Sequence, residues 1–260
     1  MFENLEKYFC GFTLFTVLSF SIYINFMPYE DFNYKNIDII RIQSFPLFLV
    51  ASILYLPVIF IVKKYYIPKG DKELLKECNI YWNLFLSILS GNGFLQLFYH
   101  FLYNNYDCSI INGSTGKWIT IFCLSKIPEL LDTFFIIMRG KPLIILQWFH
   151  HFATLLLCWL GLYCYGLQIF DAALINYGIH FIMYMYFLLY DLGFKNLKKY
   201  NKVITVLQLT QMIYMTIRIL TKYDGLACHF YNNDINYIAG VVASLLYGIY
   251  IILFGMLLVH

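Results

Sequence analysis

The chain has 260 residues, of which 61% are hydrophobic and only 13% charged, with a net charge of +3. A soluble domain is nearer half apolar and a quarter charged, so this composition excludes an ordinary water-soluble globule. The charge balance is too small to imply nucleic acid as a partner, and the chain reads as an all-α polytopic membrane protein.

In chain order, apolar runs recur at 8–27, 44–62, 80–103, 118–138, 143–163, 169–190, 203–220 and 235–259. Each is close to the ~20 residues a helix needs to cross the hydrocarbon core. Continuous runs, rather than alternating ones, favour helices over barrel strands. The first run follows "MFENLEKY", whose two glutamates make a poor n-region for a cleaved signal, so an extra retained span is expected. The chain then divides into 1–43, an extra span with a loop, and 44–260, the main membrane domain.

The loops alternate in charge. Lys63, Lys64, Lys69, Lys72 and Lys76 follow the second run, Arg139 and Lys141 the fourth, and Lys195, Lys198, Lys199 and Lys202 the sixth. The intervening loops at 104–116, 164–168 and 221–234 hold only Lys222. The positive-inside rule therefore puts 63–79, 139–142, 191–202 and the C-terminus in the cytosol. The opposite loops carry a glycosylation sequon at Asn112 and two cysteines, Cys108 and Cys228, which an oxidising lumen would let pair.

Charged groups at bilayer depth cost a few kcal/mol each, so those inside the runs are candidates for function. Counting a rise of 1.5 Å per residue from the cytosolic ends, Asp132, Glu129 and Lys126 lie at depths of ~10, ~15 and ~20 Å. His150 and His151 lie ~12 Å in, His180 and Asn176 ~16 and ~22 Å, and Gln208 and Gln211 ~9 and ~14 Å. Four spans thus carry polar groups in one layer. Helical spacing aligns Lys126, Glu129 and Thr133, then Gln147, His150 and His151, then Asn176, His180 and Tyr184, each on one face. Lipid cannot satisfy such stripes, so they are expected to face a shared cavity. Pro128 removes a backbone donor beside Lys126 and predicts a kink.

The adjacent histidines resemble a di-iron histidine box, but three layer histidines are too few for two irons. They would suffice only for a single zinc with a water, and no metal is expected. Acid–base or covalent chemistry by imidazole, with Asp132 or Glu129 orienting it, fits better. Arg139, Lys141, Lys199 and Lys202 at the same mouth suit phosphates. An apolar tunnel above a phosphate-binding mouth describes a site for an acyl-CoA. A closed luminal end ~20 Å beyond His150 would limit the chain, with Trp159 and Phe181 as candidate stops.

Four motifs carry a family resemblance. "KIPELLDT" resembles the KxxExxDT signature of the ELO family of fatty acid elongases, and "QWFHH" its HxxHH box. "NYGIHFIMYMYF" and "TVLQLTQ" are similar to its N-x-x-x-H-x-x-M-Y-x-Y and TxxQxxQ segments, in the family's order, within about residues 45–258. The wording is closest to the subgroup extending saturated medium-to-long acyl chains.

The resemblance implies seven spans, six of them an inverted barrel around an acyl tunnel, with the span at 8–27 additional. It implies the condensing step of microsomal elongation, in which acyl-CoA and malonyl-CoA give 3-ketoacyl-CoA, CO2 and CoA without a cofactor. His150 matches the acyl-accepting imidazole, with His180 opposite, His151 assisting and Asp132 orienting the box. Lys126, Arg139, Asn176, Tyr186 and Lys202 match positions associated with CoA, and Glu129, Tyr184, Lys199, Gln208 and Gln211 join the expected site. The expected location is the endoplasmic reticulum membrane, and the expected partners are the ketoacyl reductase, dehydratase and enoyl reductase of the cycle; a homodimer is allowed.

Three departures stand out. Gln147 replaces the first box histidine, no basic residue follows Lys222, and the first span is extra. The competing readings are an acyl-CoA-binding regulatory subunit without turnover and a helical transporter.

Overall fold

The computed structural model describes residues 5–27, 34–66, 72–104, 112–163, 167–221 and 233–259. Among them the chain forms helices α1 (Leu5–Phe26), α2 (Tyr34–Tyr65), α3 (Lys72–Tyr103), α4 (Gly113–Ser125), α5 (Leu131–Met138), α6 (Ile145–Tyr163), α7 (Leu167–Asp191), α8 (Asn201–Thr221) and α9 (Asn233–Val259). Each lies over one of the apolar runs, so the chain is an all-α polytopic membrane protein. Six segments, in α1, α2, α6, α7, α8 and α9, are both long and apolar enough to cross a membrane. Cys108 and Cys228, the expected disulfide, lie outside the described residues.

Six rods pack around a ring: α3, the α4–α5 pair, α6, α9, α8 and α7, which closes back on α3. Outside the ring, α2 lies on α6 and α5, and α1 lies on α3. The expected six-helix barrel with an extra N-terminal helix thus has its counterpart in the packing. Helices in lipid gain little from burying apolar surface against each other, so close approach and polar links must hold the ring.

The α3–α7 seam shows the first device. A Cβ on Gly93 would meet the Tyr177 ring at 2.5 Å, and one on Gly178 would meet Phe94 at 3.0 Å. Phe181 likewise lies over Gly91, where a Cβ would sit 3.1 Å from its ring. Small residues let two long antiparallel helices approach closely and interlock their aromatics.

The ends of the bundle show the second device. At the basic end, Arg139 grips Asp191 with two bonds of 2.9 and 3.0 Å, and Asn79 donates to the same carboxylate at 2.7 Å. This ties α3, the end of α5 and the end of α7. At the far end, Arg218 of α8 donates from Nε to Asp171 of α7 at 2.8 Å, both residues being buried. The outer helix α1 is pinned at both ends: Tyr66 donates to Glu6, and Lys117 donates to the Met27 carbonyl at 3.0 Å.

Pro128 breaks the α4–α5 rod as its sequence predicts, through a 3-10 turn at Pro128–Leu130. The expected stripe loses one member, Thr133, whose hydroxyl meets α2. The overwinding of the 3-10 turn, about 20° per residue against an α-helix, brings Asp132 nearer to the face of Lys126 and Glu129. Thr133 is fully buried against α2, sharing a 2.7 Å hydrogen bond with Tyr55.

Candidate active site

The α4–α5 rod supplies the charges. Lys126 Nζ donates to both oxygens of Glu129, at 2.7 and 2.9 Å, and to Asn176 Oδ1 at 3.3 Å. Ser125 adds a 2.8 Å bond to Glu129. Both charged groups are buried, so each needs the other: a lone charge here would face an uncompensated desolvation cost. Asn176 also donates to Gln211 Oε1 at 3.5 Å, which extends the network from α7 to α8.

Asp132 has its own shell. Trp82 Nε1 donates to one oxygen at 2.6 Å and the Tyr184 hydroxyl to the other at 2.8 Å. Each carboxyl oxygen thus accepts one hydrogen bond. Trp82 is almost completely buried on α3, and a single tryptophan in an apolar run carries no mark of its own.

The histidines divide between these carboxylates. His151 Nε2 is 3.8 Å from Asp132, and His180 Nδ1 is 3.9 Å from Glu129. Gln147, in the place of the first box histidine, reaches His151 Nε2 at 2.9 Å. An amide NH2 only donates, so His151 Nε2 accepts there and carries its proton on Nδ1. Asp132, expected to orient the box, has His151 as the box histidine within ion-pair distance of its carboxylate. His150 points to the other side, where Nδ1 lies 3.5 Å from Thr154 Oγ1 and the ring packs 5.0 Å from Tyr250 of α9. Thr154 and Tyr250 are a second pair that the sequence reading missed, because one hydroxyl in a span and one tyrosine among 24 carry no signal of their own.

The remaining candidates lie at greater distance. Gln208 donates to Met183 Sδ at 3.2 Å instead of joining the network. Tyr186 stacks on Tyr190. Lys199 and Lys202 are exposed at the basic end, Lys199 over the ring of Tyr200. Arg139 has its planar fork engaged by Asp191, which makes it a tie of the ring mouth before it is a phosphate ligand. Next to it, a cavity of about 290 Å³ is lined by residues that include Lys72, Lys76, Arg139 and Lys141. Burial and the neighbouring Arg139 charge push the Lys141 ammonium below the usual lysine range. Among the described residues, no group of three or more His, Cys, Asp or Glu is placed to hold a metal ion.

Of the two expected tunnel stops, Trp159 packs at a tilt against Phe45 of α2, and Phe181 lies over Gly91 at the α3–α7 seam. Each is engaged at a helix–helix contact, and a position in a span does not reveal which neighbour its side chain meets.

The arrangement therefore holds three imidazoles, two carboxylates and one ammonium within a ring of helices. It can form a nucleophile, pass protons and stabilise developing negative charge in a place poor in water. Comparison with known proteins agrees with the motifs. The family model described as ELO: GNS1/SUR4 family matches residues 41–260. The chain is 35% identical over 187 residues to "Putative fatty acid elongase 3" of Caenorhabditis elegans, covering 67% of this chain and 58% of that protein. It is 29% identical over 212 residues to "Fatty acid elongase 3" of Trypanosoma brucei brucei, covering 67% and 69%. It is 33% identical over 205 residues to "Very long chain fatty acid elongase 6" of Mus musculus, covering 72% and 73%. The chain belongs to the ELO family of fatty acid elongases.

Proposed function

We propose that this chain is the condensing enzyme of microsomal fatty acid elongation, joining a long-chain acyl-CoA with malonyl-CoA to give 3-ketoacyl-CoA, CO2 and CoA. Family membership gives the coarser statement, a membrane enzyme of fatty acid elongation. The observation that supports the chemistry is the division of the histidines: two sit beside carboxylates, and one, His150, has none. A neutral imidazole away from carboxylates is a nucleophile, while imidazoles next to carboxylates can hold and return protons.

In the first half-reaction His150 attacks the thioester carbonyl, the C–S bond breaks, and CoA leaves as the thiol. In the second, malonyl-CoA loses CO2 and its enolate carbon attacks the acyl-imidazole carbonyl. The C–N bond then breaks and its electron pair returns to His150. One proton is consumed overall. The pairs His151–Asp132 and His180–Glu129 are the donors available to the enolate oxygen. The dry ring protects the acyl-imidazole from hydrolysis.

The substrate mouth in this reading is the basic end, with Lys141, Lys199 and Lys202 meeting the CoA phosphates and the cytosol on that side. The membrane is that of the endoplasmic reticulum, and the ketoacyl reductase, dehydratase and enoyl reductase of the cycle are the partners. The acyl chains are saturated and medium to long, by the motif wording shared with one subgroup. The second reading, a binding subunit without turnover, draws on Gln147, whose amide occupies His151 Nε2 where a histidine would offer a base.

One experiment separates them. Purified protein given acyl-CoA alone is expected to release CoA, and His150→Ala to abolish that release. Normal release by the variant overturns the acyl-imidazole. No release or product from the unaltered protein with both substrates favours the binding subunit.

A further inference from the structure

Among the described residues His150 is the one histidine of the layer with no carboxylate within ion-pair distance, and its polar neighbours on the α6–α9 side are hydroxyls. Thr154, one turn further along α6, places Oγ1 3.5 Å from His150 Nδ1 and 3.2 Å from the Tyr250 hydroxyl. The Tyr250 hydroxyl in turn lies 3.4 Å from the His150 backbone carbonyl. Tyr250 is almost completely buried, with its ring against His150, Phe149 and Tyr247. It therefore has few other positions for its proton. The three links close a loop that begins and ends on the same residue.

Proton counting sets the direction of that loop. A carbonyl oxygen only accepts, so Tyr250 donates to it, and its single proton is then used. Towards Thr154 the tyrosine oxygen can only accept, so the single Thr154 proton goes there. With all three links formed as hydrogen bonds, the Thr154 oxygen faces His150 Nδ1 with lone pairs, and Nδ1 is then the N–H. Neutral imidazole carries one proton, so Nε2 is the lone-pair nitrogen. Among the described residues His150 Nε2 makes no hydrogen bond. Links of this length are usual for catalytic hydrogen bonds before substrate is bound.

We infer that Thr154 and Tyr250 are positioning residues that fix the tautomer of His150, with the proton on Nδ1 and the nucleophilic lone pair on Nε2. The inference rests on the acyl-imidazole reading above for its role in catalysis, but the tautomer itself is independent of it. In the acylation step the Nε2 pair forms the new C–N bond and the C–S pair leaves with sulfur. The imidazolium so formed loses the Nδ1 proton that Thr154 was accepting, and the departing thiolate gains one, so charge and protons balance. A side chain that holds the correct tautomer acts much as the carboxylate does in serine-protease triads, here with a neutral hydroxyl in a membrane interior.

The test uses the full chain in detergent with palmitoyl-CoA as the probe, measuring single-turnover CoA release and palmitoyl-CoA affinity. Thr154→Val, which keeps the shape and removes the hydroxyl, is expected to slow release by about 10- to 100-fold, the range for losing the partner that orients an imidazole. Its affinity is expected to stay within about 2-fold, because the hydroxyl acts on the rate and not on uniform binding. Thr154→Ser is expected to restore the rate, and Tyr250→Phe, which keeps the ring, to show a smaller loss. Unchanged release in Thr154→Val, a loss lying wholly in affinity, or failure of serine to restore the rate overturns the role. The second readout needs no activity. Nitrogen NMR of labelled histidine, with the His150 signal assigned by its loss in His150→Gln, is expected to show Nδ1 protonated in the unaltered protein and a mixture in Thr154→Val. A protonated Nε2 in the unaltered protein overturns the inference. If the unaltered protein releases no CoA while Nδ1 is protonated, the acyl-imidazole reading falls and the wiring stands.

Discussion

The two sides of the polar layer are built on different principles. On the α4–α5 and α7 side, Lys126, Glu129 and Asp132 are charged or acidic groups held by bonds of 2.6–2.9 Å, with a longer link to Asn176. On the α6 and α9 side, among the described residues, the polar neighbours of His150 are Thr154 and Tyr250, and the three are linked by neutral contacts of 3.2–3.5 Å. The first side is costly to leave incomplete, since an unpaired buried charge is severely penalised. The second side can be loose, because a neutral hydroxyl in a poor bond loses little. The difference teaches that in one layer the groups with the highest cost of burial are tied most tightly, while the neutral His150 is held only weakly.

The largest effect should come from breaking the framework. Glu129→Gln leaves the Lys126 ammonium buried with neutral neighbours and is expected to destabilise the protein by about 3–5 kcal/mol. Thermal unfolding in detergent should show this, and replacing Lys126 with Met in the same chain should recover part of it. Thr154→Val, by contrast, should change stability by less than about 1 kcal/mol. Equal losses in the two variants would erase the distinction between the two sides.

A middle effect is expected at Asp132. Trp82→Phe keeps an aromatic ring on α3 and removes the donor to Oδ1, leaving a buried acceptor unpaired at a cost of about 1–3 kcal/mol. Unfolding temperature should fall, and turnover should fall further than palmitoyl-CoA affinity because His151 loses its fixed neighbour. Unchanged turnover would mean that the Asp132 shell belongs only to the framework.

The smallest effect is expected outside the layer. Lys199→Ala and Lys202→Ala remove exposed charges at the basic end, which salt already screens. Each should raise the KM for acyl-CoA by a few-fold at low ionic strength with kcat unchanged. The effect should shrink as salt is added. A loss in kcat, or a loss insensitive to salt, would connect this surface to the layer after all.

The sequence by itself determined which segments are helices and which polar residues share a depth. Hydropathy depends on composition along the chain, and depth follows from a fixed rise per residue, so Lys126, Glu129, Asp132, the histidine pair, His180 and Gln211 were all legible. The motifs determined the family for the same reason, as spacing along single helices. Azimuth was less secure: Thr133, expected on the stripe of Lys126 and Glu129, meets Tyr55 of α2 instead. What only the tertiary structure decided was which neighbour each side chain meets. Trp82, Thr154 and Tyr250 are ordinary residues for a membrane helix, and they become partners of Asp132 and His150 only when α3 and α9 are packed into the ring. Trp159 and Phe181 went the other way, to contacts with α2 and α3. A hydrogen bond depends on distance and direction between helices, and no periodicity within one helix records either.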